Sequence, residues 1–289
     1  MRIKNVLLLY KKSTYRHHFQ RYRLTAPLSM TEKVFVRRFK RTHDAHYESL
    51  AVVGDALKGR GIPFDMIPRG KPVDYRRYDW VVTVGGDGTF LEGARSVTRQ
   101  YILGVNSDPQ WSVGRFCAVT ADTFAPLLER ICSGRMKTLS LNRMQVLFES
   151  SGETVYALND VLACHQNPAA MSRYNLRIAG EEEEQSSSGI WIATAAGSTG
   201  ALRSAGGAAM PLTSRKLQYR VRELYRGRGS PPRARFQAGI LSPQMIIHLI
   251  SLMKEGVIYI DGSHEKRLFR FGERVRVQSS SRALRYVTG

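Results

Sequence analysis

The sequence predicts an α/β N-terminal domain with an open, mainly parallel sheet over residues 1–111, followed by a β-rich C-terminal domain over residues 112–289. Three observations carry this. Short apolar runs alternate with amphipathic or polar segments through the first hundred or so residues, the rhythm of a parallel α/β sheet. A glycine-rich turn follows directly on the central one of those runs. After Trp111 the rhythm changes to strand-like segments with few helical signals.

The elements follow in order. Lys4 to Tyr10 is a brief apolar run ending in Lys11-Lys12, a first buried strand. Residues 13–43 are polar and very basic, a long loop or an exposed helix. Asp44 is placed to cap a helix in which Tyr47, Leu50, Val53 and Leu57 share a face, with Gly59 and Gly61 as its stop. Ile62 to Ile67 is a short strand that Pro63 assigns to the periphery. Tyr78 to Val84 is a central strand, a helix runs from Thr89 to about Arg99, and Tyr101 to Val105 is a further strand. Beyond Trp111, residues 139–149, 154–163, 173–179, 189–194, 257–261 and 267–277 read as strands. Helical signals there are confined to Ala121–Ser133 and Pro243–Leu252. Glu181 to Glu184 reads as a solvated hairpin tip, and residues 215–235 as a basic loop or an anion-attracting rim.

Composition narrows the function. Forty-three per cent of the 289 residues are hydrophobic, enough for a sizeable core. The 44 Lys and Arg against 24 Asp and Glu leave a net charge of +20, a field that attracts nucleotides, nucleic acid or an anionic surface. Cys117, Cys132 and Cys164 are odd in number and far apart, which argues against a disulfide framework and for a reducing compartment. The pair Cys164-His165 has no second ligand pair at a usable spacing, so no protein metal site is expected. No apolar stretch is long enough to span a bilayer or form a signal-peptide core, and the cytoplasm is the expected location.

Gly85-Gly86-Asp87-Gly88-Thr89 lies between the Trp80–Val84 strand and a helix. At the carboxyl end of a parallel strand the crevice is open to ligand, and successive backbone N–H groups at a helix start form an anion site. A carboxylate beside phosphates repels them unless it works with Mg²⁺ or accepts a proton from an attacking hydroxyl, and both roles belong to phosphoryl transfer to an alcohol. The bland alternative is a glycine turn whose Asp87 merely favours the helix start. No Gly-Lys-Ser/Thr follows, so phosphate is expected to be held by backbone and metal without a P-loop lysine. A second small-residue cluster, Ala196-Gly197-Ser198-Thr199-Gly200 and Ser204-Ala205-Gly206-Gly207, suits ribose and phosphate, though alone it reads equally as a flexible linker. Asn159-Asp160 interrupts an apolar strand; left unpaired there, each polar group costs about 1–3 kcal/mol, so either a ligand or a structural network must satisfy it.

Taken as an ordered series, Gly85-Gly86-Asp87-Gly88-Thr89, Gly104-Val105-Asn106, Asn159-Asp160, Ser188-Gly189, Gly197-Ser198 and Asp261-Gly262 resemble the NAD kinase family. Gly104-Val105-Asn106-Ser107-Asp108-Pro109, Ser187-Ser188-Gly189 and Ile260-Asp261-Gly262 with two further strands resemble its mitochondrial type more than the common bacterial type. The resemblance implies a sandwich-like C-terminal domain and NAD in the cleft between the domains. It implies Asp87 as general base on the ribose 2′-hydroxyl, with Gly86, Gly88 and Thr89 lining the triphosphate of ATP and its Mg²⁺. Asn159, Asp160, Ser188, Thr199 and Ser204 fall where the family contacts NAD. A homodimer or higher homo-oligomer is implied as well. The chain departs from the common pattern in having Asp160 for a glutamate, Ser188 for an acidic residue and Ala201 for a tyrosine.

Two other readings compete. Diacylglycerol-type lipid kinases share the glycine motif, but this chain has no membrane-seeking amphipathic helix and the later motifs would be unexplained. A non-catalytic NADP(H)- or nucleic-acid-binding protein would suit the charge and the Tyr219-Arg220 and Tyr225-Arg226 pairs, but the intact Asp87 argues for catalysis.

Overall fold

In the computed structural model, which describes residues 3–13, 15–16, 29–225, 227 and 235–289, the first apolar run forms β1 (Val6–Tyr10). Helix α1 (Met30–Gly59) follows. It starts well before Asp44, the residue expected to cap it, because Ser29 and Glu32 form a capping box: the Ser29 hydroxyl accepts the Glu32 N–H at 3.2 Å and the Glu32 carboxylate accepts the Ser29 N–H at 2.7 Å. The helix thus takes in residues 30–43 of the basic segment; residues 17–28 of that segment lie outside the described residues. It ends at Gly59, with Gly61 in the left-handed region at φ +63°, where the glycines were expected to stop it. Next come β2 (Phe64–Pro68), β3 (Trp80–Gly85), α2 (Asp87–Ser96), β4 (Tyr101–Asn106), β5 (Val119–Thr120), α3 (Ala121–Cys132) and β6 (Lys137–Leu141).

The remainder is built of strands: β7 (Met144–Phe148), β8 (Thr154–Ala157), β9 (Asp160–His165), β10 (Ser172–Ile178), β11 (Glu181–Ser187) and β12 (Ile190–Ala193). A short turn of helix, α4 (Ala201–Ser204), precedes β13 (Leu217–Val221), β14 (Ala238–Leu241), β15 (Ile246–Ser251), β16 (Gly256–Ile260), β17 (Glu265–Leu268), β18 (Arg274–Ser279) and β19 (Leu284–Thr288). Two expectations are overturned here. Residues 243–252 hold β15 rather than a helix: Ile247, Leu249 and Ser251 are buried while Ile246, His248 and Ile250 are less so, and that period of two belongs to a strand. Glu181–Glu184 is not a hairpin tip but the first half of β11, paired with β10 from Glu181↔Ile178 onward; the tip is Ala179-Gly180, both at positive φ. Three strands, not two, follow Asp261-Gly262.

The chain divides into two compact units, residues 1–139 with 284–289, and residues 140–283. The boundary expected at 111/112 is therefore displaced, because α3 packs on the first sheet and β19 returns to it. That sheet runs β2-β1-β3-β4-β19-β6, with β5 beside β4. The pairings of β1 with β2 and β3, and of β4 with β3, β5 and β19, are parallel. Leu50, Val53 and Leu57 of α1 and Phe124, Leu127, Leu128 and Ile131 of α3 share a core with Val6, Leu8, Val82, Val84, Leu103 and Val105. On the opposite face α2 lies so close that a Cβ on Gly93 would meet Thr83, Ile102 and Leu9 at 3.2–3.4 Å. A sheet covered on both faces needs the near-continuous apolar strands that the sequence supplies.

The second unit consists of two antiparallel sheets, β11-β10-β15-β18-β7-β8 and β14-β13-β12-β9-β16-β17. Val146, Leu176, Leu249 and Val277 from the first and Val161, Ile192, Tyr219 and Ile258 from the second meet in one core, so the unit is a sandwich.

Candidate active site

The glycine-rich turn sits where β3 ends and α2 begins, at the carboxyl edge of the parallel sheet. Gly86 caps the helix with extended backbone, and Asp87 is its first residue. The Oδ1 atom of Asp87 accepts the backbone N–H of Phe116 at 2.8 Å. Its second oxygen has no hydrogen-bond partner among the described residues. Gly88 is exposed, so the helix N-terminus opens to solvent. Thr89 is buried, with its hydroxyl packed on Gly85, which makes it a support of the turn.

The segment 106–117 holds Asp87 from outside. Asn106 accepts the Asp108 N–H at 3.1 Å and donates to the Ser112 carbonyl at 2.9 Å. The segment then crosses so close over β4 that a Cβ on Gly104 would overlap the Phe116 carbonyl oxygen. Beneath, burial and the neighbouring Asp87 push the Cys117 thiol up to about 12. Burial, Cys117 and Asp87 do the same to the Tyr286 hydroxyl on β19, also about 12. Both groups are therefore neutral at physiological pH.

Two cations that the sequence reading passed over stand at the same edge. Lys11 directly follows β1, and its N–H donates to the Val84 carbonyl at 3.3 Å. Arg69 directly follows β2, its N–H donates to the Tyr10 carbonyl at 2.8 Å, and its guanidinium comes within 3.2 Å of where a Cβ on Gly88 would stand. His46 of α1 ties this edge together: its ring bonds the Ser107 hydroxyl at 2.9 Å and the Lys11 carbonyl at 2.8 Å. Burial, then Lys11, hold His46 down at about 4, so the ring is neutral.

In the second unit the structure brings Asn159, Asp160, Asp261 and the 197–200 turn together. Asn159 is not inside a strand, as expected, but in the break between β8 and β9, where Asp160 begins β9. The Asp261 carboxylate accepts the N–H groups of Leu158 at 3.0 Å and Asn159 at 2.7 Å, and the Asn159 amide donates to Asp160 at 3.3 Å. A Cβ on Gly197 would overlap the Asn159 carbonyl oxygen, so this turn can approach only as glycine. Burial, then Asp261, raise Asp160 to about 7. The Thr199 hydroxyl oxygen is buried without a hydrogen-bond partner among the described residues. Ser198, by contrast, is spent internally on the Ala195 carbonyl at 2.7 Å and the Met210 N–H at 2.9 Å.

Ser204 is exposed at the end of α4. Ser188 stands apart: β12 pairs with β9 from Ile190↔Ala163 to Ala193↔Asp160, so Ser188 lies beyond the end of that ladder remote from Asp160. Tyr219 is buried in the sandwich core and offers no stacking face to nucleic acid, while Arg226 lies outside the described residues. Among the described residues no group of three or more His, Cys, Asp or Glu is placed to hold a metal ion, and no helix is long and apolar enough to cross a membrane.

A parallel sheet bearing this turn and carboxylate, in one chain with an antiparallel sandwich, is the architecture of a phosphotransferase. No family model matches the chain. A probable NADH kinase of Oryza sativa subsp. japonica is 31% identical over 267 residues, covering 84% of this chain and 81% of the relative. Human mitochondrial NAD kinase 2 is 26% identical over 203 residues, covering 64% of this chain and 44% of the relative. The crystal structure of an NAD kinase from Archaeoglobus fulgidus in complex with ATP superposes with a TM-score of 0.68 at 19% identity, covering 98% of this chain and 92% of that one. The chain belongs to the NAD kinase family, and it is an enzyme.

Proposed function

We propose that this chain transfers the terminal phosphoryl group of ATP to the 2′-hydroxyl of the adenosine ribose of NAD, giving NADP. The observation that carries the reading is Asp87: a carboxylate at a helix N-terminus, with one oxygen held by Phe116 N–H and the other open. Asp87 accepts the hydroxyl proton as the oxygen attacks phosphorus, and the Phe116 bond fixes the carboxylate for that task. The N–H groups at the start of α2, with Gly86 and Gly88 presenting bare backbone, stabilise the charge that develops on the phosphoryl oxygens. Thr89 holds the turn in shape.

The second unit takes the acceptor. Asn159 and Asp160 hydrogen-bond the adenosine moiety, Asp261 fixes the backbone that presents them, and the unpaired Thr199 hydroxyl finds its partner on the ligand, with Ser204 at the rim. Ser188 is assigned to NAD only by family position. Mg²⁺ would come bound to ATP and would supply neutralisation of phosphate charge at the start of α2. The working form is a homodimer or higher homo-oligomer, as the family resemblance implies. The three cysteines form no disulfide, which fits the cytoplasm.

The test is to incubate the protein with NAD, ATP and Mg²⁺ and read NADP with a dehydrogenase that uses only the phosphorylated cofactor. NADH in a parallel arm tests the acceptor suggested by the rice relative's name. Absence of product with both acceptors would overturn the reading.

A further inference from the structure

We propose that the amino edge of the first sheet carries a second anion site, built to take a compact phosphoanion of the diphosphate class. It lies at the opposite end of β3 from the glycine turn: Trp80 opens that strand and Gly85 closes it, about 16 Å away along the strand. The site does not depend on the reaction assigned above.

A cleft of about 480 Å³ opens there, within the first unit, and Lys4, Arg76, Arg77, Arg99 and Arg285 line it against one carboxylate, Asp79, among the described residues. Asp79 is committed to the frame: its two oxygens accept the N–H groups of Lys4 at 3.0 Å and Asn5 at 2.8 Å. Arg76 is matched by Asp74 at 2.8 Å, and Arg77 stands 4.0 Å from Asp65. The charged ends of Lys4, Arg99 and Arg285 have no hydrogen bond or ion pair among the described residues. Arg285 lies instead over the Tyr101 ring, 5.5 Å from its centre.

The walls are fixed by the sheet. Tyr101 is in register with Trp80 on one side and Arg285 on the other, so the three side chains form one row across β3, β4 and β19. Trp80 stacks on Tyr101 with ring centres 5.0 Å apart. The buried Gln100 ties the remaining wall together: its amide donates to the Tyr75 carbonyl at 2.7 Å, and its oxygen accepts the N–H groups of Thr98 at 2.9 Å and Arg99 at 3.1 Å. The helical turn Tyr75–Arg77 is thereby held beside Arg99. Tyr78 and Trp80 are buried and Tyr101 is engaged on both flanks, which leaves no aromatic face for a base. The cleft therefore suits a compact anion better than a whole nucleotide. Walls of one sign concentrate counter-ions, and arginine forks match phosphate oxygens in pairs, so a small anion with several charges relieves the mutual repulsion of these cations.

Lysine labelling with acetic anhydride, read by peptide mass spectrometry on the full chain, tests this at the site itself. Inorganic pyrophosphate at ten times its dissociation constant is expected to slow acetylation of Lys4 about tenfold, with Lys58, exposed on α1, unchanged. Phenylglyoxal labelling of Arg99 and Arg285 is expected to slow in parallel. Arg99→Ala combined with Arg285→Ala, both exposed positions, is expected to abolish the protection of Lys4. Unprotected Lys4 at millimolar pyrophosphate in the parent protein would overturn the proposal, as would undiminished protection in the double variant. ADP and a short single-stranded DNA serve as further arms. ADP equal to pyrophosphate would support recognition of the diphosphate group alone, whichever molecule carries it. Protection by ADP at far lower concentration, or by DNA alone, would replace the compact anion with a nucleotide or a nucleic acid.

Discussion

Asp87 and Phe116 are joined by a single backbone hydrogen bond of 2.8 Å, which ties the first residue of α2 to the segment that follows β4. The bond uses one carboxylate oxygen and leaves the other without a hydrogen-bond partner among the described residues. Asp87→Asn keeps an oxygen for Phe116 but cannot take a proton. Turnover is expected to fall by on the order of a thousandfold or more, with thermal stability and NAD affinity nearly unchanged. Melting curves, NAD titration and NADP formation on the same preparation check all three.

His46 predicts an acid limit. Its folded pKa of about 4 lies below the ordinary 6.5, so the unfolded chain binds the extra proton first. Stability contributed by the neutral ring is complete above pH 6.5 and is lost as pH falls toward 4. The shift corresponds to roughly 3 kcal/mol. Urea unfolding at pH 7 and pH 4.5 should show the loss, and His46→Gln should flatten it; an equally steep profile in that variant would acquit His46.

Asp160 acts with the opposite sign. Its folded pKa of about 7 lies above the ordinary 3.8, so the folded chain binds the extra proton and stability declines as pH rises from about 4 through 7. Asp160→Asn, which mimics the protonated form, is expected to be more stable than the parent at pH 8, with the gain fading toward pH 4. Denaturation at both pH values measures it.

Gly197 and Gly59 give a matched pair. Alanine at 197 would collide with the Asn159 carbonyl, while alanine at 59 meets nothing within 4 Å. Gly197→Ala is expected to cost about 1–3 kcal/mol and to weaken NAD binding. Gly59→Ala is expected to be neutral or to stabilise by roughly 0.5–1 kcal/mol. Chemical denaturation and NAD titration separate the two.

What the sequence made legible is what local pattern controls. The β3-turn-α2 passage could be read because a buried parallel strand is continuously apolar and the glycines mark its end. β11 could not, since Glu181–Glu184 occupies an edge strand whose charges face solvent and whose pairing depends on β10. β15 was misread because its outward positions, Ile246 and Ile250, are also apolar and mask the alternation. Asp87, Asn159 and the 197–200 turn were singled out from their residue types. Lys11, Arg69 and Tyr286 were not, because each is an ordinary residue at a strand end or in a short strand until the sheet order places it beside the turn.

β19 has a consequence for how the protein comes into being. The strand that lies between β4 and β6 is synthesised only after all of residues 140–283. The nascent chain can build the sandwich while the first sheet still has a vacant edge at β4. Tyr286, whose ring meets Phe90 edge-on at 5.6 Å, arrives only then. Completion of the first sheet thereby waits on a strand that lies, in sequence, beyond the whole sandwich, and a chain cut before Leu284 would keep the sandwich residues but lack the β4 partner at Tyr101 and Ile102. Expressing the first unit alone would require joining Leu139 directly to Leu284.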